Sequence, residues 1–353
     1  MDDRDARRSP PAQWHKVLGV GASFLLLLFI LVGVIPRFAS YSGAWAQLTH
    51  LDAWWWMAIA GAAAVNQISG VWPYQAALPG LRTQDGFLLI ETTAAISNTV
   101  PAGGAVAIGM TYRMLSSFGF TGVDISAAVI TTGIWNLAAK LGLPLAAVGL
   151  LSITSHSTAT VRGAALAGVV ALLIGAALLW VLFWSAAGAH RLGRLSDRAV
   201  NRVGHFFGRP ATDRVERSMN EFKSRTVRTM HRRGWSLTWT TLANQLAGFV
   251  LVLIIVRALG IGSGQVSLLA VFTSFAVARL AGAIPVTPGG LGTLDAAFVS
   301  LLTTFGANSS SALAVDLVWR LMVYFLPILP GTVTYLVWIR NHSRAARHVA
   351  PAQ

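Results

Sequence analysis

The chain has 353 residues, 54% of them hydrophobic and only 11% charged, a balance that excludes an ordinary soluble enzyme and fits an integral membrane protein. Its formal net charge of +14 would suggest nucleic acid in a soluble protein, but twelve basic residues cluster between Arg191 and Arg233 against four acids. That cluster has no base-stacking aromatic series or zinc spacing, so no nucleic-acid partner is expected, and the absence of cysteine excludes disulfides and thiolate chemistry.

Residues 1–16 read as a cytoplasmic tail bearing Arg7, Arg8 and Lys16. The apolar run that follows is longer than the roughly 7 to 15 residues of a signal-peptide core and predicts an uncleaved membrane helix. Runs at 17–38, 53–72, 125–150, 161–188, 235–259 and 312–338 each suffice to cross about 30 Å of hydrocarbon, which predicts six full spans. Trp54, Trp55 and Trp56 open the second as an interfacial aromatic anchor. Two further apolar regions break in the middle: 86–118 at Pro101-Ala102-Gly103-Gly104, and 266–305 at Pro288-Gly289-Gly290. An arm of about fourteen residues rises only about 21 Å, too little for a crossing, so both regions read as re-entrant hairpins.

The fold class expected is therefore all-α and polytopic, with halves at 17–189 and 235–340 joined by the basic 190–234 connector. With the N-terminus inside, the positive-inside rule puts that connector and the 341–353 tail in the cytoplasm, and the hairpins then enter from opposite faces as an inverted repeat. Arg191, Arg194, Arg198 and Arg202 recur at helical spacing, which suits either a solvated connector or a surface helix on anionic lipid. The tail is expected to be disordered.

Non-helical chain at membrane depth persists only inside protein or beside a watery cavity, so the breaks mark the candidate site. They echo one another. Met114-Leu115-Ser116-Ser117-Phe118-Gly119 follows the first break at nearly the same distance as Leu301-Leu302-Thr303-Thr304-Phe305-Gly306 follows the second.

The stretch from Arg279 to Ala297, with Pro288-Gly289-Gly290-Leu291-Gly292 and then Asp295, followed by Trp319-Arg320 in the last span, resembles the lysylphosphatidylglycerol synthase/flippase transmembrane-domain family. The match is specific over about the last 70 residues. In the first half only Pro101-Ala102-Gly103-Gly104 and Tyr112-Arg113 carry it, and the acid that many relatives have after that turn is missing. The resemblance implies a protein of the cytoplasmic membrane that moves a phospholipid or glycolipid headgroup across it, or helps to. Some relatives carry a soluble aminoacyl-transferring domain; none follows here before Gln353, so a separate synthase would supply any aminoacylated lipid.

A glycine-rich turn opening a helix leaves amide donors and a positive dipole end free for phosphate, although a tight packing turn has the same sequence. The headgroup-binding residues expected are Arg279, Pro288, Gly289, Gly290, Gly292, Asp295 and Arg320, with Pro101, Gly103, Gly104 and Arg113 from the first half. Asp295, Glu91 and Asp316 are the candidates for proton or ion coupling. Two bland pairings stay open: Asp316 with Arg320 four residues on, and Arg279 with Asp295. Glu91 and Lys140 are possible first-half counterparts, and Asn66, Gln67, Asn136, Asn244 and Gln245 suit either a cavity lining or interhelical hydrogen bonds.

No P-loop, His-Glu-x-x-His or Gly-x-Ser-x-Gly sequence occurs, so no ATP motor, metal, cofactor or enzymatic activity is expected. The alternatives are an accessory subunit presenting lipid to a synthase and a polyprenyl-phosphate-sugar-dependent glycosyltransferase with Asp295 or Glu91 as base.

Overall fold

Residues 48–49, 51–100, 103–154, 213–283 and 292–348 are described by the computed structural model, and among them every regular element is helical. The expected spans at 17–38 and 161–188, the 1–16 tail, Arg191 to Arg202 and the loop at 284–291 lie outside those residues. In chain order the helices are α1 (Ala53–Ser69), α2 (Val71–Ala77), α3 (Thr83–Thr99), α4 (Gly103–Ser117) and α5 (Gly122–Thr154). The second half holds α6 (Asp213–Ala258), α7 (Leu268–Ala281), α8 (Thr293–Thr304), α9 (Ser309–Arg320) and α10 (Ile328–His348), with a π turn at Leu321–Phe325 between the last two.

Among the described residues three stretches are long and apolar enough to cross a membrane: Gly122–Leu151, Arg232–Ala258 and Ser309–Asn341. They coincide with three of the expected spans. Two boundaries differ from the expectation. Helix α6 is continuous from Asp213, so the second part of the basic connector is one rod with the span that follows it. Helix α10 runs through His348 where disorder was expected, because Arg344-Ala345-Ala346-Arg347 are strong helix formers with nothing to stop them.

Both broken regions are pairs of short helices that pack against each other, α3 on α4 and α7 on α8. Their ends follow from local chemistry. Val100, which precedes Pro101, leaves the helix in an extended conformation (φ −101°, ψ 135°), as a residue before proline must. The Ser267 side chain caps α7 by accepting from the Ala270 N–H. The echoing Phe-Gly sequences end α4 and α8 in the same way: Gly119 (φ +94°) and Gly306 (φ +107°) occupy the left-handed region that glycine enters without penalty. In both, the next residue's N–H donates back to a carbonyl five residues earlier, Phe120 to Leu115 and Ala307 to Leu302. The sequence repeat is thus a repeat of structure.

Buried apolar side chains gather in two main clusters. One joins Leu89, Met114, Leu115, Ile125 and Trp338 to Leu237 near the start of the apolar part of α6. The other joins Ile59, Phe275, Phe298, Leu302 and Trp319 to Leu251, Val252, Ile255 and Val256 near its end. These anchor points are roughly 20 to 30 Å apart along the helix at about 1.5 Å per residue. The α3/α4 pair therefore shares a core cluster with one end of the apolar part of α6, and the α7/α8 pair with the other.

Candidate functional site

At the second break, Gly292 has φ +87°, a conformation that a side chain would strain. Its N–H donates to Asp295 Oδ2 at 2.6 Å, which closes the first turn of α8. Asp295 Oδ1 forms an ion pair with Arg320 Nε at the end of α9. Asp295 is only 5% exposed, so each of its oxygens is committed to a structural bond. Asp316, one turn before Arg320 and 1% exposed, adjoins both Asp295 and Arg320, and its Oδ1 has no hydrogen-bond partner. Burying one partner of such a set alone would be costly, so the three charges stand or fall together.

Arg279, in the last turn of α7, does not pair with Asp295. Its Nη2 donates to Gln245 Oε1 at 2.8 Å, and Gln245 Nε2 donates in turn to Asn136 Oδ1 at 3.0 Å. The guanidinium lies over Phe275 at 5.9 Å, on an aromatic row that continues through Trp319 to Phe298. Its Nε is buried without an acceptor. Lys140 of α5 and Arg320 of α9 are both close enough to repel it. Among the described residues three partly buried cations thus adjoin two buried acids, leaving an excess of formal positive charge.

The first break reaches the same place by neutral contacts. Asn98, near the end of α3, donates through Nδ2 to the Tyr324 carbonyl at 2.9 Å, while the Tyr324 hydroxyl donates to the Asn98 carbonyl at 2.6 Å. Tyr324 lies in the π turn, four residues after Arg320, so one helical turn joins the anchor of the first break to that of the second. Neither Asn98 nor Tyr324 is a residue that the sequence singled out. The available signal was an asparagine three residues before Pro101 and a tyrosine just ahead of Pro327.

The remaining expected residues separate clearly. Pro101, Pro288, Gly289 and Gly290 lie outside the described residues. A Cβ on Gly103 would fall 2.5 Å from the Ser97 carbonyl oxygen and 2.6 Å from that of Ile96, so this glycine closes the turn and leaves no room for a ligand. Gly104 faces open space. Arg113 is not part of the cluster: it is exposed at the far end of α4, over the Trp338 ring at 5.7 Å. Glu91 is 1% exposed in the seam between α3 and α10, where a Cβ on Gly331 would meet its carbonyl oxygen at 2.3 Å. Gln67 interacts with its carboxyl, yet neither carboxyl oxygen has a partner at hydrogen-bond geometry. Beside it, Thr92 and Thr334 share a 2.9 Å hydrogen bond. Asn244 donates to the Asn66 carbonyl and the Ser69 hydroxyl, the interhelical role.

These features define a membrane protein, helical throughout its described residues, with a charged cluster beside its two broken regions. The family model for the lysylphosphatidylglycerol synthase TM region matches residues 16–331, and the chain belongs to that family. It is also similar to the UPF0104 membrane protein MJ1595 of Methanocaldococcus jannaschii, 26% identical over 124 residues, which is 35% of this chain and 37% of that protein.

Proposed function

We propose that this protein carries a phospholipid or glycolipid headgroup across the cytoplasmic membrane without ATP and without covalent chemistry, through six spans and two re-entrant hairpins. The observation that carries the reading is the meeting of both breaks at one partly buried, net-positive cluster, linked through Asn98, Tyr324, Arg320 and Asp295. The hairpin geometry is supported by length. The arms α4, α7 and α8 have 15, 14 and 12 residues, so they rise about 18 to 23 Å, short of the hydrocarbon thickness. The sharing of separate core clusters with opposite ends of α6 by the two pairs supports entry from opposite faces.

In this reading Arg279 and Arg320 neutralise the phosphate while it passes the midplane, where an unpaired charge costs roughly 2.5 to 3.5 kcal/mol on insertion scales. Asp295 is a brace, since a proton on it would break one of its two bonds. Glu91 and Asp316, which keep unpartnered oxygens, are the coupling groups if the cargo is cationic; an anionic headgroup moving outward gains about 2.3 kcal/mol per charge per 100 mV of inside-negative potential and needs none. The basic connector sits on anionic lipid at the cytoplasmic face, and a separate synthase is the partner for aminoacylated lipid.

The test is reconstitution in liposomes with a headgroup-labelled phospholipid, followed across the bilayer for wild type, Arg279→Ala and Asp295→Asn. Protein-dependent translocation that fails in correctly inserted Arg279→Ala is expected. No translocation by wild type would favour the accessory role, and product formation from a labelled polyprenyl sugar the transferase.

A further inference from the structure

The charges in the cluster are unevenly placed. Arg320 has Asp295 as its ion-pair partner and Asp316 alongside. Among the described residues Lys140 and Arg279 have no acid beside them. Among the described residues no hydrogen bond or ion pair reaches the Lys140 ammonium, and no carboxylate lies at ion-pair distance from Arg279. Gln245 takes up one guanidinium nitrogen and is itself held by Asn136, while Nε stays buried with no acceptor. The Gln245 link ties Arg279 to Asn136 of α5, Lys140 follows Asn136 one turn later on the same helix face, and α5 packs along α7, so the fold brings the two cations to one place. Two cations side by side repel more strongly as water is excluded, and an anion placed between them reverses the sign.

We infer that Lys140 and Arg279 form an anion site for a singly charged phosphodiester, with Lys140 as a residue of the binding site in its own right. The two side chains divide the work. The ammonium is a compact charge that suits any phosphate oxygen, whereas the guanidinium, fixed by Gln245 on one side, offers its unsatisfied N–H in a set direction. Naming a lipid as the source of the phosphodiester rests on the headgroup reading above; the anion site rests on the two cations alone.

The experiment uses the full chain in a neutral detergent, with dihexanoylphosphatidylglycerol and inorganic phosphate as separate probes in calorimetry and thermal unfolding. Loss of one charge-assisted partner should weaken phosphatidylglycerol binding about tenfold or more in Lys140→Gln, with most of the affinity kept in Lys140→Arg. Without any probe, Lys140→Glu should unfold at a higher temperature than wild type, because the new carboxylate pairs with Arg279, a rise that a misfolded variant cannot give. Binding of inorganic phosphate alone, lost in Lys140→Gln, would keep the site and overturn its assignment to a headgroup. Wild-type affinity of Lys140→Gln for both probes, or no rise in Lys140→Glu, would overturn the site. Neither readout needs transport, so a chain that binds but moves no lipid would defeat translocation and leave this site standing.

Discussion

Before α4 the chain turns on neutral contacts, Gly103 against the carbonyls of Ile96 and Ser97 and Asn98 against Tyr324; before α8 it turns on charge, with Asp295 holding both the Gly292 N–H and Arg320. Both breaks open a short helix, and both helices end in the same left-handed glycine cap. A turn at this depth can therefore be held without ionisable groups. The second break uses Asp295 and Arg320 for the same structural task, and beside them it gathers Asp316 and Arg279, which that task does not require.

The contrast can be broken most severely at Asp295. Its replacement by Ala removes the ion-pair partner of Arg320 and should cost about 3 to 5 kcal/mol in thermal unfolding, with part recovered when Arg320→Leu is added. A loss under about 1 kcal/mol would mean that the ion pair is solvated and the break is not held by charge. At the first break, Gly103→Ala drives a methyl into backbone and should cost about 1 to 3 kcal/mol. Its neighbour Gly104→Ala, facing open space, should stay within about 0.5 kcal/mol of wild type. Equal effects at the two positions would show that Gly103 does not close the turn. Between these, Tyr324→Phe removes the hydroxyl bond to Asn98 and should cost about 1 kcal/mol. If its translocation rate falls much further than its stability, the link between the two breaks is part of transport and more than an anchor.

Much of this arrangement was legible in the sequence, and the reasons are local. Proline, glycine and apolar run length fix where helices start and stop, so the breaks at Pro101-Ala102-Gly103-Gly104 and Pro288-Gly289-Gly290, the Phe-Gly repeat and three long spans all stood out. Partner choice did not. Arg320 is four residues from Asp316 but reaches Asp295 across 25 residues, and Asn98 meets Tyr324 across 226. Those choices depend on which helices touch, and helical spacing carries no record of it. Arg113 misled for the same reason: it follows the first break closely in sequence, yet ten residues of helix carry it about 15 Å away.

The π turn at Leu321–Phe325 has its own consequence for how the chain can vary. There the Leu326 N–H donates to Leu321 five residues back, at 2.8 Å, so the turn stores one amino acid more than an α-helix needs. Deleting one of these five other than Tyr324, which Asn98 holds, should let the ladder relax to ordinary α spacing while Arg320 and Gly331 keep their azimuths. This is a place in the apolar interior where a single-codon deletion is absorbed, whereas the same deletion one turn into α9 or α10 would rotate an anchoring residue by about 100° and detach it.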